Sequence, residues 1–120
     1  MGRRTRRRRA GTAAPSAPES SYQDDAGNVL VLRGSLTTGS RREYAAALAG
    51  SPLSRDDAEQ RALELLFERL AVRWTVSGVP TAGQRELLGR LRMAGPAERQ
   101  WVRDTLRAHC AEHFPDVDVP

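Results

Sequence analysis

His109, Cys110 and His113 are the side chains whose types and spacing come nearest to a chemical site. Two histidines four apart share one face of a helix, a spacing that zinc uses. A tetrahedral set needs further ligands, and the chain holds no other histidine or cysteine. The residue after His109 is Cys110, so the HExxH arrangement of zinc hydrolases is missing. His109 and Cys110 are also no ready base–nucleophile pair, because successive helical side chains diverge by about 100°. The plain reading is a helix end, where histidine suits the negative pole of the dipole and cysteine packs as a small apolar group. No metal and no cofactor is expected.

Other catalytic patterns are absent. The chain contains no GxSxG, no GxxxxGK[ST] and no GxGxxG. Asp24-Asp25 reads as part of a solvated linker, and Asp56-Asp57 as the acidic first turn of a helix. With no catalytic residues to name, a non-enzymatic protein is expected.

The arginines offer a different chemistry. Arg3, Arg4, Arg6, Arg7, Arg8 and Arg9 form a run that would release counterions from a polyanion, in a salt-sensitive and sequence-blind way. No aromatic residue interleaves with them, so no base-stacking platform accompanies the charge. The competing reading is a solvated tail, or a start codon placed too far upstream. Residues 1–20 hold six arginines and one acid, whereas the other 100 hold 13 arginines and 14 acids, so the net charge of +4 belongs to the N-terminus. All 19 basic residues are arginine, which a GC-rich coding sequence accounts for. Arg99, Arg103 and Arg107 stand four apart on one helix and read as a solvated face diluted by Asp104 and Glu112.

These residues need elements to position them. The 120-residue chain holds one domain at most, with a single cysteine and therefore no internal disulfide. Residues 1–27 read as a disordered basic tail and linker, 28–115 as a helical domain, and 116–120 as a loose C-terminal tail. Val29–Leu32 is a short strand. Thr38 or Ser40 would cap a helix through RREYAAALA that ends at Gly50 and Pro52. Ser54 opens the central helix, whose stripe of Leu63, Leu66, Phe67, Leu70, Ala71 and Trp74 carries it as far as Trp74. WTVSGVP then reads as an extended piece or turn able to pair with Val29–Leu32. Thr81 and Gln84 form a capping-box pattern before a helix with Leu87, Leu88 and Leu91 inward. Pro96 suits the first turn of a last helix bearing Trp101, Val102, Leu106 and Cys110, and Phe114-Pro115 ends it. The expected fold class is mainly α, a small bundle of about four helices with one or two short strands. No apolar run is long enough to cross a bilayer and no secretory signal is visible, so no membrane partner and a cytoplasmic location are expected.

One arrangement of these residues is familiar. Leu32, Arg33, Leu36, Thr37 and Arg41 open the domain, Leu70 and Trp74 close its central helix, and Gly78 and Pro80 precede Glu86, Leu87 and Leu88. Over about residues 28–115 this pattern resembles the small tail assembly chaperones of long-tailed bacteriophages and prophages of GC-rich hosts. The Arg run is a departure from it. The resemblance implies a binding role. Such chaperones coat the long helical tape measure protein until the tail tube polymerises around it, then leave. A partner helix would lie in an apolar groove, and Leu66, Phe67, Trp101 and Leu106 are the expected contacts. Two other classes compete: a small nucleic-acid-binding or regulatory protein using the Arg run, and another structural component of the phage particle. The partner would be the tape measure protein or another tail protein.

Overall fold

The computed structural model describes residues 18–50 and 54–120. Eight elements follow in the order β1 (Glu19–Gln23), β2 (Val29–Arg33), α1 (Thr38–Ala49), α2 (Arg55–Leu70), β3 (Ala71–Val76), β4 (Val79–Ala82), α3 (Gln84–Arg92) and α4 (Pro96–His113). The strands form one antiparallel sheet in the order β1-β2-β3-β4. The mainly α expectation of a bundle with one or two strands is therefore wrong. Four helices stand against a four-stranded sheet, and the fold is a mixed α/β one.

Two hairpins account for the difference. The first arises in the stretch assigned to the tail and linker. Tyr22 is the one large apolar residue of β1, so composition hides the strand. The Asp24 carboxylate supplies the turn, accepting from the backbone N–H groups of Ala26 and Asn28 at 2.9 Å and from the Asn28 side-chain amide at 2.9 Å. Gly27 follows in the left-handed region at φ 87°. β1 then pairs along all of β2, from Glu19 opposite Arg33 to Gln23 opposite Val29.

The second hairpin begins where the central helix was expected to continue. α2 stops at Leu70, and Ala71 starts β3 with no intervening loop. Trp74 is therefore a strand residue, paired across from Leu30, and its ring meets Phe67 edge-on at 5.8 Å. The sequence AVRWTV is rich in β-branched and aromatic residues, and pairing with β2 outweighs the continuing helical stripe. β3 and β4 join through Ser77-Gly78, both at positive φ (52° and 79°), as a two-residue hairpin of type I′ requires. The Asn28 side-chain oxygen accepts from the Ser77 N–H at 2.9 Å, tying the two hairpin turns together.

Helix ends follow local chemistry. Ser54 caps α2 by accepting from Asp57 N–H, and Asp56 and Asp57 occupy its first turn. α1 is capped by Thr37, whose side chain accepts from the Ser40 N–H, and not by Thr38 or Ser40. Thr81 lies in β4 and caps nothing; Gly83 precedes α3 instead. Pro96 opens α4.

The helices lie on one face of the sheet. Leu30, Leu32 and Trp74 point into them and join Leu66, Phe67, Leu70, Leu87 and Leu106 in one core. The row Ser21, Val31, Arg73 and Ala82 faces the other way. The C-terminal segment is not loose. Val117 and Val119 pack on the core, the Tyr44 hydroxyl donates to the Asp118 carbonyl at 2.6 Å, and Arg41 pairs with Asp116 at 3.0 Å. Leu30 is fully buried at the centre of the sheet. Leu30→Ala should cost about 2–5 kcal/mol in urea unfolding; a loss under about 1 kcal/mol would mean that this strand does not hold the core.

Candidate functional site

His109 sits on the sheet-facing side of α4 and is fully buried. Its Nε2 lies 2.7 Å from the Arg33 carbonyl oxygen, which can only accept, so Nε2 carries the hydrogen. Its Nδ1 then accepts from the Tyr22 hydroxyl at 2.7 Å. Both ring nitrogens are thus committed to protein partners, and neither is free for a metal or a substrate. His113 lies beside it, with ring centroids 4.5 Å apart, and the Ser20 hydroxyl is 3.4 Å from its Nε2. Burial pushes the Cys110 thiol up to about 11, away from a ready thiolate. Among the described residues, no three His, Cys, Asp or Glu side chains gather as metal ligands would.

A concave surface lies elsewhere, between α2 and α4 where α3 ends. It encloses about 310 Å³. Leu63, Leu91, Val102 and Leu106 make its floor. Gln60 and Glu64 form the α2 wall, while Arg99, Gln100 and Arg103 form the α4 wall beside Pro96. The floor shows little surface, since Leu63 and Leu91 are each 7% exposed. A concavity of this size receives anchoring side chains from a partner.

Ion pairs and backbone contacts fix the walls. Arg92 reaches from the end of α3 to Glu64 at 3.0 Å, and the Gln60 amide donates to the same carboxylate group at 3.2 Å. Arg99 donates to the Ala94 carbonyl at 3.1 Å and the Arg92 carbonyl at 2.8 Å, closing the turn between α3 and α4. Arg90 pairs with Glu98 at 2.9 Å, and its guanidinium lies 5.0 Å from the Trp74 ring centroid. These contacts hold α3 between the sheet and α4.

The expected contact residues divide. Leu106 lies on the cleft floor. Leu66 and Phe67 are closed inside the core, at 1% and 0% exposure. Trp101 does not line the cleft; it is half-buried against the core, on the same side of α4 as Thr105 and His109. Arg3, Arg4, Arg6, Arg7, Arg8 and Arg9 lie outside the described residues. Sequence reasoning missed Gln60, Leu63 and Glu64 on α2, and took Arg99 and Arg103 for a solvated face. For the α4 residues the helical spacing of positions 96, 99, 100 and 103 was legible; the half-burial of both arginines shows only in the structure.

No protein-family model, curated protein or solved structure matches the chain. Among the described residues, no helix is long and apolar enough to cross a membrane.

Burial holds the His109 pKa below its ordinary 6.5. The unfolded chain therefore takes up this proton at a higher pH than the folded one, and stability falls as pH drops below 6.5 towards the folded value. His109→Gln retains a donor for the Arg33 carbonyl and an acceptor for the Tyr22 hydroxyl. Urea midpoints should fall between pH 7.5 and 5.5 in the parent, and less steeply in His109→Gln. Equal slopes in the two proteins would remove His109 as the source.

Proposed function

We infer that this protein is a non-enzymatic binding module that seats apolar side chains of a partner helix in the α2/α4 cleft. The observation that carries this is the cleft itself: a concave surface with a leucine and valine floor and polar walls. The resemblance in sequence supplies the biological setting. On that reading the protein is a tail assembly chaperone acting in the host cytoplasm, and its partner is the tape measure protein or another long helical tail protein.

The size of the cleft suits reversible binding. Two buried anchors contribute about 3–6 kcal/mol before the cost of association is set against them. A single contact of that strength holds a helix loosely. A factor that covers an apolar helix and then gives way to tube subunits needs that property.

Gln60→Trp tests the cleft, because Gln60 lies on its wall outside the hydrophobic core and a large ring there would fill the space. Co-expressed with the tape measure protein, the parent should co-purify and keep it soluble. Gln60→Trp should reduce capture about tenfold or more while thermal unfolding stays within a few degrees. Removal of residues 1–17 should leave capture unchanged. Loss of binding on that removal, with steep weakening by added salt, would instead favour the nucleic-acid reading. Full capture by Gln60→Trp would show that the cleft is not the contact.

A further inference from the structure

The two walls of the cleft differ in charge. On the α2 wall, Glu64 is neutralised by Arg92 at 3.0 Å and further held by Gln60. On the α4 wall, Arg99 spends its hydrogen bonds on the Ala94 and Arg92 carbonyls at the end of α3, and no carboxylate among the described residues pairs with it. Arg103 stands one turn further along, half-buried at the cleft edge. Among the described residues, no carboxylate lies within ion-pair distance of Arg103; nearby Asp104 pairs with Arg107 at 3.1 Å. One long side of the cleft thus carries two positive charges, and the opposite side carries none in excess.

We propose that the cleft selects an acidic amphipathic helix: one whose paired apolar anchors enter between α2 and α4 and whose flanking carboxylate meets Arg103. This rests on the helix-in-cleft reading and adds the partner's chemistry and orientation to it. The apolar floor supplies the hold and is indifferent to which way the helix lies. The charged wall breaks that symmetry, since a helix turned end for end brings its other flank to Arg103. A basic flank against Arg99 and Arg103 meets like charge on a half-desolvated wall.

The test uses the full chain and fluorescent alanine-based helical peptides of roughly 16 residues, bearing two leucines four apart. One peptide has glutamates along the flank and the other has lysines. The glutamate peptide should bind about 3- to 10-fold more tightly at low salt, with the preference shrinking as salt rises. Arg103→Glu should abolish or reverse that preference. Arg103→Gln, which removes the charge with less disturbance, should reduce it. The N-terminal Arg run is unchanged in both variants, so a preference undiminished in both is not carried by Arg103 and overturns the proposal. Equal binding of both peptides, with loss in Gln60→Trp, overturns acid selection and leaves the helix-in-cleft reading standing. Binding of neither peptide overturns both. Sedimentation of the chain alone gives the remaining outcome. A dimer that dissociates on Arg103→Glu would assign the cleft to a second copy and overturn the proposal.

Discussion

The buried imidazole of His109 is the contact on which the arrangement of layers depends. α4 is the longest helix, and its sheet-facing side must be located against two strands at once. The ring does this with one bond to Arg33 at the end of β2 and one to Tyr22 of β1. The ring itself is sealed from water, so each of its nitrogens needs a protein partner, and these two bonds supply them. Apolar packing alone tolerates sliding and rotation of a helix over a sheet. Two short bonds from one rigid ring allow neither. The phenol and the imidazole also meet edge-on, with centroids 5.6 Å apart, so the same pair contributes packing as well as polarity.

With α4 located, the cleft follows as a consequence. His109 turns one side of α4 to the sheet, which leaves the side bearing Pro96, Arg99, Gln100 and Arg103 to face α2. α3 is only nine residues long and ends before it can fill the space. Arg99 closes the turn after it by holding the carbonyls of Arg92 and Ala94. The cleft is thus what remains between two long helices when the helix that bridges them is short.

The sequence makes some of this plain and conceals the rest for identifiable reasons. Ser54, Pro96 and the Val29–Leu32 run announce their roles because the chemistry is local: a hydroxyl for free amides, a fixed φ, a short apolar run. Ser77-Gly78 announces a turn for the same reason. β1 is concealed because a strand beside VLVLR needs few apolar residues of its own; its order comes from Asp24 and from Tyr22 finding a histidine 87 positions away. Trp74 misleads because it continues the 3.6-residue stripe of α2 while belonging to a strand, and both periods place it in the core. Leu66 and Phe67 look like contacts for a partner because a strong stripe does not say whether it faces its own sheet or another molecule. The sequence resemblance is silent on all of these points.

The junction between Leu70 and Ala71 joins two elements without a loop. An inserted residue there would turn α2 by about 100° relative to the sheet, or move every side chain of β3 to the opposite face. Trp74 would leave the core in the second case, and Gln60, Leu63 and Glu64 would swing away from α4 in the first. An insertion at this junction is therefore costlier than one in a surface connection. The seam acts as a fixed phase marker: the residue number at which helix becomes strand sets both which face of the sheet is apolar and which face of α2 borders the cleft.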